Sequence, residues 1–367
     1  MADQVFLPRA QLQHLIEHMQ SSGYRCVGPK IDHDCIVYDD ISHQQDLPLG
    51  IQDQQGPGQY RLQQHTHSRH FAWANGPQAI KPLTFAPHET LWECKRSDTA
   101  ELEFCTSPTR SEKIALFAVR ACDLAAYQLQ KEHFLNQELA DPWFKSRSEA
   151  LFIIAVHCSH PSANCFCAST GDGPEATRGY DLAMHELDDG YVIAVGSEAG
   201  EDTVQHLQLD RASTLQLKQC NKQIQHATHQ QTRHIPVQEL KTALLQQLDH
   251  PHWKAIGERC LSCANCTAVC PSCFCHQQHD EVDLTTETAS HYRDWSSCFS
   301  HNHGYLAGHP LRPDSWQRYR QWLTHKFANW QEQYGRIGCT GCGRCISWCP
   351  VGIDVVEELN YFCETQP

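Results

Sequence analysis

Two stretches near the end of the chain repeat one cysteine pattern: Cys260-Leu-Ser-Cys-Ala-Asn-Cys-Thr-Ala-Val-Cys270-Pro and Cys339-Thr-Gly-Cys-Gly-Arg-Cys-Ile-Ser-Trp-Cys349-Pro. In each stretch three cysteines recur with two residues between neighbours, and a fourth is followed by proline. This is the ligand run of bacterial ferredoxins, in which the fourth cysteine ligates the other cluster of a two-cluster protein. The repeat therefore predicts two 4Fe-4S clusters.

We expect the two motifs to exchange their fourth ligands. The predicted sets are Cys260, Cys263, Cys266 and Cys349 for one cluster, and Cys339, Cys342, Cys345 and Cys270 for the other. The alternative is a pair of structural zinc sites, although these usually combine two separated C-x-x-C pairs. Arg344 and Trp348, inside the second motif, either tune the potential of its cluster or simply pack.

The length of the chain, 367 residues, indicates two domains. Sixty-eight residues separate Cys270 from Cys339, and residues 316–334 of this insert have a helical pattern. We therefore predict an α+β protein: a mixed α/β scaffold domain over residues 1–250, followed by a helical ferredoxin domain with two clusters over residues 251–367.

The N-terminal region combines helical and strand patterns. Apolar spacing predicts an opening helix over residues 6–19, and residues 113–119 and 151–156 form apolar runs typical of buried strands. Between these runs, Asp123 is placed to cap a helix over residues 124–135, which would make a parallel βαβ unit. Residues 181–187 and 191–195 flank an Asp-Asp-Gly turn and predict a hairpin.

Four cysteines of the N-terminal region form a candidate third site: Cys122, Cys158, Cys165 and Cys167. We assign three of them to loops after two neighbouring strands, and such loops meet at one edge of a parallel sheet. Four converging thiolates would hold a third iron–sulfur cluster or zinc. The spacing is not that of a ferredoxin, however, and buried free cysteines are often simply packed.

Three further cysteines, Cys273, Cys275 and Cys298, lie close in sequence to a predicted cluster. We expect them to shield or hydrogen-bond this cluster without ligating iron. The loop Thr170-Gly-Asp-Gly-Pro174 contains glycines but matches no nucleotide-binding fingerprint, and we interpret it as a turn or a cluster contact.

Composition excludes several classes of function. A formal net charge of −14 argues against a nucleic-acid surface. The chain has no apolar run long enough to cross a bilayer and no signal-peptide pattern at its first residues, so we expect a cytoplasmic protein without a membrane anchor. No catalytic motif of a hydrolase, nucleotide-binding enzyme or dinucleotide enzyme is present.

Motifs along nearly the whole chain carry a family resemblance. They are Asp46-Leu-Pro-Leu-Gly50, Gly56-Pro-Gly-Gln-Tyr-Arg-Leu62, Val119-Arg-Ala-Cys-Asp-Leu124, His157-Cys-Ser-His-Pro161, Cys165-Phe-Cys167, Gly171-Asp-Gly-Pro174, Cys270-Pro-Ser-Cys-Phe-Cys275, Trp295-Ser-Ser-Cys298, His325-Lys-Phe327 and Trp348-Cys-Pro-Val-Gly-Ile-Asp354. The chain resembles the beta subunit of cytoplasmic sulfhydrogenases, which are NADP-linked nickel–iron hydrogenases, and the related A-type subunit of anaerobic sulfite reductases. One departure is Ala121, where the family more often has proline; its loss relaxes the backbone before Cys122.

The resemblance implies a protein that acts within a complex and has no substrate chemistry of its own. Its partners would be a flavin- and iron–sulfur-containing NAD(P)H-binding subunit and hydrogenase subunits in a hetero-oligomer. Three functions remain open: an electron relay in a hydrogenase or sulfur-reducing complex, the corresponding subunit of a sulfite-reducing or other oxidoreductase complex, and a metal-stapled interaction module without redox activity.

Overall fold

The fold is taken from a computed structural model that describes residues 4–97, 99, 101–106, 111–283 and 285–365. The strands are β1 (Val5–Pro8), β2 (Arg25–Asp32), β3 (Cys35–Asp40), β4 (Ile51–Gly56), β5 (Gln59–Gln64), β6 (His88–Arg96), β7 (Leu102–Thr106), β8 (Ile114–Val119), β9 (Leu151–Val156), β10 (Leu182–Glu186), β11 (Gly190–Val195), β12 (Asp210–Arg211), β13 (His276–Asp283), β14 (Thr288–Trp295), β15 (Tyr305–Leu306) and β16 (His309–Pro310).

The α-helices are α1 (Leu12–Ser21), α2 (Lys81–Thr84), α3 (Ala121–Leu135), α4 (Pro142–Glu149), α5 (Cys167–Thr170), α6 (Glu198–Leu207), α7 (Thr214–His229), α8 (Leu240–Gln246), α9 (His252–Arg259), α10 (Asn265–Ala268), α11 (Ser315–Thr324), α12 (Trp330–Tyr334), α13 (Arg344–Ser347) and α14 (Val355–Glu364). A π-helix, His325–Asn329, joins α11 to α12. The predicted α+β class is confirmed.

An eight-stranded mixed sheet forms the N-terminal half, in the order β12-β1-β11-β10-β9-β8-β2-β3. Its centre is parallel, because β8 pairs with β2 and β9, and β9 pairs with β10. The strands β8 and β9 are almost wholly buried, as expected for a parallel sheet covered on both faces. The predicted parallel unit and the β10–β11 hairpin are both present.

Two helix starts differ from the sequence predictions. The opening helix begins at Leu12 instead of residue 6, because residues 5–8 pair with β11 as a strand. Helix α3 begins at Ala121, after Arg120, so Asp123 is not its cap. The Asp123 carboxylate is instead engaged by Arg344. Cys122 therefore lies in the first turn of a helix and not in a loop.

The C-terminal cysteine motifs lie in a helical region around a second apolar core, which includes Trp253, Leu323 and Phe362 and also Leu240 and Leu244 of α8. The insert between the motifs also contains strands, which the sequence patterns did not predict. Strand β14 pairs with β6 of the N-terminal half, in a four-stranded antiparallel sheet ordered β13-β14-β6-β7. Hydrogen bonds of this sheet thus cross the proposed boundary at residue 250.

None of the helices in the described part of the chain is both long and apolar enough to cross a membrane.

Candidate metal centres

The two cysteine motifs fold alike. In each, the residue before the second cysteine and the residue after it have positive φ: Ser262 (51°) and Ala264 (65°) in the first motif, Gly341 (63°) and Gly343 (75°) in the second. Each motif then enters a one-turn helix, and these helices, α10 and α13, pack against each other. The left-handed residues turn the backbone around the three cysteines, so their thiols face a common cavity.

The first cavity is lined by Cys260, Cys263, Cys266 and Cys349, and Cys345 also contributes to its wall. Its walls are largely apolar and include Phe299 and Ile353. Backbone N–H groups donate to two of the sulfurs: Ser262 to Cys260 Sγ at 3.4 Å, and Ile353 to Cys349 Sγ at 3.3 Å. Cys263 is exposed, so this cavity lies next to solvent.

The second cavity is lined by Cys270, Cys339, Cys342 and Cys345, between the rings of Phe166, Trp322 and Phe327. The backbone N–H of Gly341 donates to Cys339 Sγ at 3.4 Å. The structure thus brings Cys270 of the first motif beside the first three cysteines of the second, and Cys349 of the second beside those of the first. This is the arrangement that the predicted ligand exchange requires.

The donor sets suit anionic iron–sulfur clusters. Burial raises the pKa of the Cys339 thiol to about 12, so this thiol becomes a ligand only if a metal stabilises the thiolate. Among the described residues, the buried hydroxyls of Tyr319 and Thr340, which line the first and second cavities, have no hydrogen-bond partner. Both are potential donors to cluster sulfur. Four thiols, apolar walls and N–H donors to sulfur are the features through which proteins bind and tune such clusters.

A third cavity is lined by all four cysteines of the candidate third site, Cys122, Cys158, Cys165 and Cys167. Cys122 is on α3, and Cys158 follows β9. A bulge at the end of β8, where Ala118 has φ 62°, precedes Arg120 and α3. Bulges of this kind redirect side chains next to functional sites.

Cationic and donor groups surround the third cavity. Arg120 lines it, and its guanidinium is fixed by the carbonyl oxygens of Phe71 and Trp73 at 2.8 and 2.7 Å. Within the part of the chain that the structure describes, the buried Nε–H of Arg120 has no hydrogen-bond partner. Burial raises the pKa of Cys165 to about 12. An unpaired donor beside four thiols, of which those of Cys165 and Cys167 belong to buried residues, fits an anionic group.

The three cavities are contiguous. Cys345 lines the first and the second, and Cys342 lines the second and the third. The N–H of Phe166 donates to the carbonyl of Gly341 at 2.8 Å, which joins the loop of the third cavity to the second motif. A Cβ on Gly341 would lie 2.5 Å from the backbone of Phe166 and Cys167, so this contact requires glycine.

The comparisons with known proteins agree with this geometry. A family model described as a 4Fe-4S dicluster domain matches residues 259–353, which include all eight motif cysteines. Over 285 residues the chain is 29% identical to sulfhydrogenase 2 subunit beta of Pyrococcus furiosus, an alignment that covers 76% of this chain and 81% of the relative. Together these similarities support the predicted relation to the sulfhydrogenase beta-subunit family of dicluster proteins. The matches support an iron–sulfur electron-transfer subunit, and no solved structure gives a significant match.

Arg344 lies in a buried ion pair that sequence reasoning missed. Its guanidinium donates two hydrogen bonds to the Asp123 carboxylate, at 2.8 and 2.7 Å, and both side chains are 1% exposed. Asn75 also donates to Asp123. The pair joins α3 of the scaffold to the second motif. Trp348, by contrast, packs on Tyr60, with 5.2 Å between ring centroids.

The remaining motif cysteines lie beside the predicted ligands. A hydrogen bond with Cys273, followed by the charge of Lys326, outweighs burial and lowers the pKa of Cys270. Cys275 and Cys298 interact electrostatically with each other, and burial raises the pKa of Cys298 to about 12. Their expected role as neighbours of a cluster, without ligation, stays a prediction.

The glycine-containing loop after Cys167 packs against the third cavity. A Cβ on Gly173 would lie 2.8 Å from Cys167 Sγ, so the loop backbone covers this thiol directly. The neighbouring Asp172 pairs with Arg336. The loop is therefore part of the wall around Cys167.

Two buried lysines near Cys270 were also missed by sequence reasoning. Lys81 and Lys326 are each 4% exposed. Lysines are almost never fully buried without a partner. Lys326 lies inside the apolar helical stretch Trp322-Leu-Thr-His-Lys-Phe-Ala328, and this position is the sequence signal that could have identified it.

Proposed function

We propose that the chain relays single electrons through three adjacent iron–sulfur clusters, one in each of the three cavities. The observation that carries the proposal is the contiguity of the cavities, with Cys345 and Cys342 as shared walls. When bound, such clusters accept and release one electron at a time. The ligand sets are the two exchanged sets of the repeat and, for the third cluster, Cys122, Cys158, Cys165 and Cys167.

The protein side chains have distinct tasks in this relay. The apolar walls exclude water from the sulfurs, and backbone N–H groups of Ser262, Gly341 and Ile353 orient the thiolates and offset their charge. Arg120 supplies a cation to the third cavity. The exposed edge of the first cavity, around Cys263 and Leu261, is the point where electrons enter or leave.

The partners we propose are a flavin- and iron–sulfur-containing NAD(P)H-binding subunit and nickel–iron hydrogenase subunits. This is supported by the similarity to a protein named as the beta subunit of a sulfhydrogenase. A flavin accepts two electrons from NAD(P)H and must release them singly, which one-electron carriers permit. The chain itself has no dinucleotide fingerprint for hydride transfer.

Metal analysis of the anaerobically prepared full chain tests the proposal. Four irons per cluster predict about twelve irons and about twelve acid-labile sulfides per chain. The double substitution Cys165→Ser and Cys167→Ser should reduce both to about eight, since only the third set is removed. A matched double substitution, Cys26→Ser and Cys220→Ser, changes two buried cysteines outside the three cavities and should leave the iron content unaltered.

Three results would overturn parts of this proposal. About eight irons in the unsubstituted chain would exclude the third cluster, and bound zinc without sulfide would exclude the relay. The isolated chain should be reduced by dithionite but should not oxidise NAD(P)H, take up hydrogen or reduce sulfite. Turnover of any of these by the single chain would contradict a purely electron-transferring role. Co-purification with a sirohaem subunit would favour the sulfite-reducing complex.

A further inference from the structure

A π-helix beside the second cavity places a lysine ammonium against a predicted cluster ligand. The π turn His325–Asn329 interrupts two α-helices, and π turns occur frequently at functional sites. Its second residue, Lys326, lines the second cavity together with Cys270 and Cys339. The side chain is directed inward although lysine normally reaches for solvent.

All three N–H donors of the Lys326 ammonium have an acceptor. Lys326 Nζ donates to Cys270 Sγ at 3.4 Å, to Ser272 Oγ at 2.9 Å and to the carbonyl of Gly338 at 2.7 Å. The backbone carbonyl of Lys326 accepts from the N–H of Gly338 at 2.7 Å. The residue thus joins the fourth ligand of the second set to the backbone just before Cys339, which fixes the ammonium in one position.

The charge of Lys326 has no carboxylate partner among the described residues. An isolated buried ammonium is strongly unfavourable, so a nearby negative group is required. The anionic atoms within its reach are sulfurs, and Cys270 is the thiol that it contacts. The arrangement is therefore complementary to an anionic cluster held by Cys270.

We propose that Lys326 is a positioning residue that raises the reduction potential of the second cluster through its hydrogen bond to the Cys270 thiolate. The inference rests on the proposed presence of this cluster. One-electron reduction adds one negative charge to the cluster and its thiolates, and no bond forms or breaks. A fixed ammonium stabilises the more negative, reduced state, so the electron is held more tightly. The electron comes from the neighbouring cluster, or from dithionite in a test.

Lys81 provides an internal comparison. Its ammonium is equally buried and close to the same residue, but it contacts the carbonyl of Cys270 at 3.2 Å, not the sulfur. It also lies 3.8 Å from the ring centroid of Trp295. In the described part of the chain, the ammonium of Lys81 thus contacts carbonyl oxygens and the face of a ring and no cluster ligand atom. Lys81 should therefore change the reduction potential of the second cluster less than Lys326 does.

Potentiometric titration of the full chain, monitored by electron paramagnetic resonance, tests the inference. Lys326→Met removes the charge at similar length and should make reduction of the second cluster at least tenfold less favourable, a decrease of about 59 mV for one electron. The first cluster should keep its potential. Lys326→Arg should retain most of the wild-type potential, and Lys81→Met should give a smaller change. The exposed Lys254→Met is the surface control.

A variant that loses its cluster would give no potential, so a second measurement leaves Lys326 in place. Of the two motif clusters, Cys349→Ala should retain only the second. Exchange of this variant into deuterated water should shift two sets of iron–thiolate stretching bands in its resonance Raman spectrum, those of Cys270 through Lys326 and those of Cys339 through the backbone N–H of Gly341, and the shift of the Cys270 bands is the one that tests Lys326. Unchanged Cys270 bands, or an unchanged potential in Lys326→Met with the cluster intact, would overturn the role of Lys326. Absence of the second cluster from the unsubstituted chain would instead overturn the proposed function.

Discussion

The two cysteine motifs have the same backbone path but occupy different environments. In the first motif the two left-handed positions are Ser262 and Ala264, whereas in the second they are Gly341 and Gly343. A left-handed conformation costs an L-residue roughly 1–2 kcal/mol, so side chains at these positions are tolerated but not favoured. Conformation alone therefore does not explain why only the second motif uses glycine.

Packing explains the difference. The second motif is pressed against the loop of the third cavity, and a Cβ on Gly343 would lie 2.5 Å from the carbonyl oxygen of Asn164. The first motif faces solvent, where Cys263 and Leu261 are exposed and there is space for side chains. The same cysteine geometry is thus built once at the surface and once in the interior.

The two motifs also differ in the buried charged side chains that surround them. Lys326 contacts a predicted ligand of the second set, and the second motif also contains Arg344, which forms a buried pair with Asp123. The first cavity has aromatic and aliphatic walls without a buried lysine among its lining residues. The repeated motif therefore determines the geometry of the cysteines, whereas the surrounding scaffold determines the charge and the solvent access around them.

The largest expected effect is the loss of one whole cluster. Cys349→Ala should remove the cluster of Cys260, Cys263 and Cys266 and spare the second, which decreases iron by about four atoms per chain. Spectroscopy of Cys349→Ala beside Cys263→Ala and Cys342→Ala distinguishes the two clusters. If Cys349→Ala resembled Cys342→Ala instead of Cys263→Ala, the ligand exchange would be wrong.

The next largest effect is a loss of stability when the buried ion pair of the second motif is broken. Arg344→Met leaves Asp123 buried without its ion-pair partner, and breaking such pairs costs roughly 3–5 kcal/mol. Anaerobic thermal unfolding should show a midpoint lower by several degrees. The control is Lys241→Met, which breaks an exposed pair with Glu332 and should leave the midpoint unchanged. Equal midpoints for both variants would contradict a structural role of the buried pair.

Exchanging residue types at the left-handed positions of the two motifs should have an intermediate effect on metal content. Gly341→Ala adds roughly 1–2 kcal/mol of backbone strain and a contact with the backbone of Cys167, so the loop must move. We expect loss of metal from the third cavity while the first cluster is retained. Ser262→Gly, at the equivalent position of the first motif, should retain every cluster. Metal counts that fall equally in both variants would refute the packing explanation.

The smallest effect on stability is expected at the exposed edge. Leu261 is 64% exposed, so Leu261→Ser should change the free energy of unfolding by no more than about 0.5 kcal/mol. Oxidation of the first cluster by ferricyanide should nevertheless become faster, because the residue covers the cavity. The control Leu215→Ser alters a similarly exposed leucine on α7. If ferricyanide oxidised the second cluster faster than the first, the proposal that the first cluster lies nearer to solvent would be wrong.

Features encoded over short distances were predictable from the sequence. Each motif supplies its own spacing of cysteines, and the apolar runs of β8 and β9 with the helical pattern between them predict a parallel unit. The α+β class and the dicluster assignment follow from these local patterns, which need no knowledge of distant contacts.

Features that depend on distant contacts were not predictable. Asp123 has the residue type and position of a helix cap, and only its contact with Arg344, 221 residues later, gives it another role. The pairing of β14 with β6 joins segments whose own patterns do not specify each other. The apolar stretch around Lys326 could have indicated a buried lysine, but the contact of this lysine with Cys270, 56 residues earlier, has no local signal.

Stepwise reduction of the full chain, followed by electron paramagnetic resonance, tests whether neighbouring clusters exchange single electrons. We predict signals that appear one electron at a time and broaden at full reduction, because adjacent reduced clusters interact magnetically. In Cys349→Ala the remaining signals should be simpler. A chain that shows no paramagnetic signal after dithionite, and contains stoichiometric zinc in place of iron and sulfide, would contradict the proposed relay.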